Sequence, residues 1–292
     1  MVTAVDGATV RMIVLGAAQD GGRPQVGCVC AYCVAARQDP AERESPSSLA
    51  IVDDGGRQFW LLDLTPDFQR QYDWLMATLG PGYVFRGAVL THAHIGHYLG
   101  LLQLGREVMG AHGIPIYASA RMVDFLASAG PFSQLVRLGN IQPMVVRPDE
   151  PLGLAPAVQI ALGPVPHRQE WSDTMAVTVW GPTRSVLYLP DIDSWQAWTR
   201  PLAEVVAGVD LAYLDGTFYS AEELPTRSRA EIPHPTVLDT VAALGGAGAF
   251  SPGKVFFIHL NHSNRLWDAA EVAALAARHG LGVARRGQQQ WL

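Results

Sequence analysis

Three histidines packed into a few residues constrain this chain more than any other feature. The stretch Thr91-His92-Ala93-His94-Ile95-Gly96-His97-Tyr98 has H-x-H-x-x-H spacing and holds three of the nine histidines. Upstream, Gly87-Ala88-Val89-Leu90 reads as a short buried strand. Downstream, Leu99, Leu101, Leu102, Leu104 and Val108 recur at helix-like spacing. The histidines therefore sit at a strand-to-helix junction. In extended backbone, residues i and i+2 point to the same side. His92 and His94 can aim at one point, and His97 approaches it from the helix start. Convergent neutral imidazoles suit a transition metal. A polar loop that happens to be rich in His is the competing reading, and the spacing at a strand end outweighs it.

The remaining composition narrows the class. The 292 residues are 49% hydrophobic, enough for one large core or two fused halves. A net charge of −6 without a long charge run disfavours a nucleic-acid partner. No apolar run reaches about 18 residues, so no membrane span is expected. Residues 1–10 lack the pattern of a secretory leader. The three cysteines all lie between Cys28 and Cys33. They read as cytoplasmic metal or redox chemistry rather than a disulfide framework.

Along the chain, residues 11–16 form an apolar strand that ends in Ala17-Ala18-Gln19-Asp20-Gly21-Gly22. That loop is a simple turn or a wall of the site; it lacks the spacing of a dinucleotide fingerprint. Cys28, Cys30 and Cys33 follow as C-x-C-x-x-C within segment 27–34. Structural zinc takes four Cys or His ligands, and no fourth cysteine exists, so the fourth ligand should be a histidine. A redox thiol pair or free thiols are the alternatives. Residues 35–48 read as a loop. Strands over 49–52 and 58–62 flank a hairpin turn. Asp63, at the second strand's tip, is placed to accept from a liganding imidazole. Asp67 is a candidate cap for a helix over 68–78.

Further strands are expected over 116–118, 158–162, 174–180, 185–189, 211–214 and 254–258, and helices over 122–129, 237–244 and 267–279. Residues 132–140 are either a cover over the site or a packed connector. Asp193 or Ser194 is expected to cap a helix carrying Trp195 and Trp198. His167, Asp191, Asp215 and His259 each stand at a strand tip. His234 is either a helix cap or an acid–base group facing substrate. His112 and His279 look unrelated to any site. Strand tips that repeatedly end in His or Asp suggest two β-rich halves face to face, helices outside, and a site at one edge.

These residues resemble the metallo-β-lactamase superfamily, whose signature T-H-x-H-x-D-H is followed by a His, a bridging Asp and a final His. His92, His94, His97, His167, Asp191 and His259 match in order. The resemblance implies an α/β fold: an αββα sandwich of two similar halves, one domain over 1–292, with the metal site at one edge of the sheets. It implies a first site of His92, His94 and His167, and a second of His97, His259 and a bridging Asp191. The chain departs at Gly96, where the superfamily has an Asp ligand. Glycine offers none, which leaves one or two active-site ions of zinc, iron or manganese open.

A narrower resemblance is to the pyrroloquinoline quinone (PQQ) biosynthesis protein B (PqqB) family. It rests on Ile13-Val14-Leu15-Gly16, Gly22-x-Pro24-Gln25, the cysteine run, Leu61-Leu62-x-x-x-Pro66-Asp67, Asp215-Gly216-Thr217 and Ile258-His259-x-Asn261-x-x-Asn264. The PhnP phosphodiesterases are also similar, sharing the cysteine run and a final H-x-x-H. Carried over, His262 would complete a structural zinc with Cys28, Cys30 and Cys33.

The leading expectation is a PqqB-like metal-dependent hydrolase, in which activated water attacks an ester, lactone, amide or phosphodiester of a small metabolite. Asp191 would orient that water, and His234 would protonate the leaving group or hold substrate. An iron-dependent oxygenase in cofactor or peptide-derived metabolite biosynthesis is the alternative, and a carrier of a quinone-like product is a third. The expected partner is a small molecule, with neither nucleic acid nor membrane; a homodimer stays open.

Overall fold

Runs that are apolar at nearly every position, such as Met12 to Leu15 or Val186 to Leu189, cannot lie on a sheet with one wet face. They require cover on both sides. The computed structural model describes residues 9–223, 232–246 and 248–292, and in it those runs form two facing sheets. The first contains β1 (Val10–Gly16), β2 (Ser48–Asp53), β3 (Gln58–Leu62), β4 (Val84–Val89), β5 (Ile114–Ala118) and β6 (Ile141–Val145). The second contains β7 (Leu152–Ala155), β8 (Val158–Val165), β9 (Thr174–Trp180), β10 (Ser185–Leu189), β11 (Leu211–Asp215), β12 (Val255–Ile258) and β13 (Gly282–Val283). The last strand, β14 (Gln289–Trp291), returns to pair with β1.

Both halves share a plan. Strands β1 to β3 pair antiparallel and β3 to β6 parallel. Likewise β7 to β10 pair antiparallel and β10 to β13 parallel. Parallel crossovers need helices, which lie on the outer faces. In the first half they are α2 (Phe68–Leu79), α3 (Ile95–Tyr98), α4 (Ala120–Ser128) and α5 (Phe132–Arg137), whereas α1 (Ala31–Gln38) lies between the antiparallel β1 and β2. In the second they are α6 (Leu202–Ala207), α7 (Val237–Ala243) and α8 (Ala269–His279).

The period-2 rule separates three cores. Met12, Val14, Leu49, Ile51, Trp60 and Leu62 face the other sheet, where they meet Val186, Tyr188, Leu211 and Tyr213. Their neighbours Ile13, Leu15, Phe59 and Leu61 face outward against Phe68, Leu75, Met122 and Phe132. On the far side Leu187, Leu189, Ala212 and Leu214 pack under Val206, Val241 and Leu275. Each fully buried side chain of this size is worth about 1.5–3 kcal/mol. Among the described residues, no helix is long and apolar enough to cross a membrane. Residues 1–8, part of the stretch read for a leader, lie outside the described set.

Several local expectations are corrected. Residues 35–48 are not all loop: α1 begins within the cysteine run and a short 3-10 turn follows at Pro40–Glu42. Trp195 and Trp198 carry no helix. Their indole nitrogens donate to different partners, Thr240 Oγ1 and Pro164 O, so the segment turns. Ser194 closes one such turn by accepting from Ala197 N, and Asp193 is committed elsewhere, to His167. The helix-like leucines after His97 form a 3-10 stretch, Leu99–Leu104, that follows the short α3. Residues 132–140 are a packed connector, since Phe132 is buried with its ring 5.0 Å from that of Tyr98. Asp67 stands at the N-cap position of α2, but its carboxylate pairs with Arg70 and makes no cap hydrogen bond.

Candidate metal centre

The strand tips meet at one rim of the sandwich, and their side chains form two adjoining groups. His92 and His94 leave β4, and His167 leaves β8. Their ligand atoms lie within 4.8 Å of one another. His94 Nδ1 faces His167 Nε2 at 3.2 Å. The second group joins His97, on α3, to His259, just past β12, and Asp20, in the loop after β1. His97 Nε2 is 3.2 Å from Asp20 Oδ1, and His259 Nε2 is 3.7 Å from the same oxygen. Asp191, past β10, stands between the groups. Its Oδ2 is 3.1 Å from His97 Nε2 and 3.5 Å from His259 Nε2, and its Oδ1 is 3.6 Å from His167 Nε2.

The far side of every imidazole is held. His97 Nδ1 lies 2.7 Å from Asp63 Oδ2, His167 Nδ1 2.9 Å from Asp193, and His94 Nε2 3.1 Å from Glu170. His92 and His259 reach carboxylates through a hydroxyl. Thr91 Oγ1 donates to Asp63 and lies 3.0 Å from His92 Nδ1. Thr217 Oγ1 donates to Asp215 and lies 3.0 Å from His259 Nδ1. A hydroxyl has one proton, so one that donates to a carboxylate must accept from the imidazole. This leaves Nε2 of His92, His97 and His259 as lone-pair donors toward the rim. Those three nitrogens, with Asp20 Oδ1 and Asp191 Oδ2, are buried and lack hydrogen-bond partners. Orphaned buried polar atoms are expensive, and five converging ones fit a bound cation. The supporting carboxylates have the arrangement that orients liganding histidines.

Without a cation, the buried carboxylates and imidazoles set one another's charge. Burial alone would lift the Asp191 carboxyl, but the His259 and His97 charges outweigh it and hold it well below the usual range. Burial likewise works against Asp20, and the adjacent His259 and His97 prevail in lowering it. Burial, reinforced by the His97 charge, drives His92 well below its ordinary value, which keeps it neutral. For His97 burial is overcome by Asp63 and Asp191, which raise it well above.

His234, three residues before α7, lies beside both groups. Its Nδ1 is 2.7 Å from Asp215 Oδ2, and its ring centroid is 5.3 Å from that of His167. Burial disfavours its charge, but Asp215 more than compensates and raises it. A cleft of about 720 Å³ opens beside Asp20, bounded by Ile95, Phe218, Glu223 and Asn261, and reaches Cys28 and His262.

Those last two belong to a separate cluster. Cys28, Cys30 and Cys33 Sγ lie 3.5, 3.6 and 3.5 Å from His262 Nδ1. About 3.5 Å is the S–N edge of a tetrahedron with Zn–S near 2.3 Å and Zn–N near 2.0–2.1 Å. Without a cation, burial pushes the Cys33 thiol up to about 12; coordination removes that proton outright. The geometry thus fits a Cys3His zinc. Cys30→Ser is expected to lose one zinc per chain and to lower the thermal midpoint. Metal analysis with a melting curve checks this, and an unchanged zinc count would rule the site out.

The structure gathers every histidine, cysteine and aspartate singled out from the sequence as a site residue into these two clusters or, for His234, against them. It keeps His112 and His279 out of both groups. Glu170, Asp193, Thr91 and Thr217 escaped notice in the sequence as imidazole supports. Their one sequence signal is position, since Thr91, Asp193 and Glu170 stand within three residues of a strand-tip ligand and Thr217 stands two residues from the strand-tip Asp215.

Fold and site together define the class. Residues 60–260, more than half the chain, match the family described as Beta-lactamase superfamily domain, and the chain belongs to that family. Its relatives narrow the likeness to the PqqB group. It is 27% identical to Coenzyme PQQ synthesis protein B of Xanthomonas axonopodis pv. citri, over 95% of this chain and 98% of that one. It is 29% identical to the protein of the same name from Rhodopseudomonas palustris, over 87% and 90%. Zinc-bound PqqB from Methylobacterium extorquens superposes with a TM-score of 0.81 at 21% identity, covering 97% of this chain and all 100% of that one. A diphosphatase of the PhnP family superposes at 0.68 with 23% identity, covering 97% of each.

Proposed function

We propose that this chain is a metal-dependent hydrolase acting on a small metabolite in PqqB-like biosynthesis, through ions held at the two adjoining groups. The observation that carries the reading is the meeting of five unpartnered buried donor atoms, one of them Asp191 Oδ2. His92, His94 and His167 would hold one ion, and His97 and His259 a second, with Asp191 reaching both. A metal bound there supplies Lewis acidity and lowers the pKa of water from 15.7 toward about 7.

The chain's own residues do the rest. The carboxylates behind the imidazoles fix their tautomers and spare them any rearrangement during turnover. Asp191 orients the attacking water. The water gives up one proton to Asp191, its oxygen bonds to the acyl carbon or phosphorus of an ester, lactone, amide or phosphodiester, and the bond to the leaving heteroatom breaks. His234, kept protonatable by Asp215, delivers the proton to that heteroatom. The partner this requires is a small-molecule substrate.

One observation favours a second reading. Asp20, His97 and His259 make a set of two histidines and one carboxylate, the donor set of non-haem iron oxygenases. The relatives' name, with its cofactor synthesis, is compatible with it. Metal analysis of protein purified without added metal, a panel of hydrolysable substrates and oxygen uptake separate the two. The expected result is metal-dependent hydrolysis without oxygen consumption, lost together with first-site metal in His92→Ala and His94→Ala. Normal turnover in a metal-free His92→Ala protein refutes the hydrolase, and iron-dependent oxygen uptake transfers the site to the oxygenase.

A further inference from the structure

Gly96 and Asp20 are far apart in sequence and compete for one place in the fold. Gly96 lies in α3 with an ordinary helical backbone, so its conformation does not call for glycine. Space does. A Cβ built on Gly96 would stand 2.1 Å from Asp20 Oδ1, 2.6 Å from Asp20 Cα and 2.8 Å from its carboxyl carbon. Any side chain at position 96 would expel Asp20. The loop is also pinned where it is. Gln19 N donates to Leu260 O, and Leu260 N to Ala17 O, which ties the residue before Asp20 to the residue after His259. The buried, unpartnered Oδ1 then faces Nε2 of His97 and of His259.

We infer that Asp20 is the resident carboxylate ligand of the second ion, and that Gly96 is the vacancy that admits it. The second group is then complete, with Asp20, His97, His259 and Asp191. The shortage of ligands expected from glycine at position 96 does not arise. The inference deepens the proposed function but concerns binding alone, and its test is a metal count. It survives if no hydrolysis is ever found, and the hydrolase reading fails separately if a fully loaded protein turns nothing over.

The test loads the full chain with Zn2+ and measures bound zinc and affinity by competition with a chelator, alongside a melting curve. Wild type is expected to hold two active-site ions besides the structural zinc. Asp20→Ala should keep the structural zinc and the His92/His94/His167 ion. It should bind the second ion about tenfold or more weakly, as removal even of a supporting group does elsewhere. Gly96→Asp alone should weaken the second ion through the clash. The double variant Asp20→Gly/Gly96→Asp moves the carboxylate to the other side of the same space and should restore the second ion. An unchanged zinc count and affinity in Asp20→Ala overturn the inference. Loss in Asp20→Ala without recovery in the folded double variant overturns the pairing with Gly96.

Discussion

Asp191→Asn is expected to lower turnover by about 10²–10⁴-fold, the range in which a positioned proton-handling group acts, and to weaken metal at both groups at once. Asp191 comes within 4 Å of a ligand nitrogen in each group: Oδ1 toward His167, Oδ2 toward His97 and His259. Asparagine keeps the shape but replaces an anionic oxygen with an N–H2 that repels a cation. The charge lost is one that His259 and His97 hold well below its usual pKa despite complete burial. Its removal also takes away a charge that helps raise His97. Steady-state kinetics with metal analysis of the same preparation check this. If only one ion weakened while the other kept its wild-type affinity, Asp191 would be a ligand of a single site and not the bridge. The contrast with Asp20→Ala, which should spare the first ion, makes the two variants diagnostic together.

Much of this centre was readable because ligands in such a sandwich stand where strands stop, and apolar runs show where that is. His92 and His94 follow β4, His167 follows β8, Asp191 follows β10 and His259 follows β12. Each of these strands ends on a buried apolar residue, so its end marks the rim to within a few residues. Asp63 was legible for the same reason. What could not be read depends on contacts between loops with no common period. Nothing in Gly96 announces that Asp20 fills its space, since the two meet only when the loop after β1 is pinned to the strand end after β12. The relays through Thr91 and Thr217 need a hydroxyl proton to be counted across three residues. Trp195 and Trp198 misled because a pattern of capping residue and aromatics also suits a turn whose indoles find separate partners. The cysteine run, read for its thiols, concealed that Ala31 starts α1.

Asp63→Ala should be the most destabilising single change at the rim, and it should act on both groups without touching either ion. The Asp63 side chain is fully buried. It accepts from Thr91 N at 2.8 Å, from the Thr91 and Tyr188 hydroxyls at 3.0 and 3.2 Å, and pairs with His97 Nδ1 at 2.7 Å. Alanine leaves Thr91 N and His97 Nδ1 without this acceptor, and Tyr188 with Ser47 O alone, at 3.3 Å. Breaking a buried, hydrogen-bonded charge pair costs about 3–5 kcal/mol, a drop on the order of 10 °C in Tm for a chain of this size. The backbone adds to the cost, because Asp63 has φ +61, a conformation that aspartate and asparagine visit more readily than alanine. Asp63→Asn separates the two effects. It keeps the backbone preference and one acceptor oxygen, so it should recover most of the Tm. It cannot accept from Thr91, Tyr188 and His97 together with the strength of a carboxylate, so metal affinity should stay reduced. Urea or thermal unfolding alongside zinc competition reads both. If Asp63→Ala melted within about 2 °C of wild type and bound both ions as tightly, the carboxylate network would not be what sets the imidazoles toward the rim.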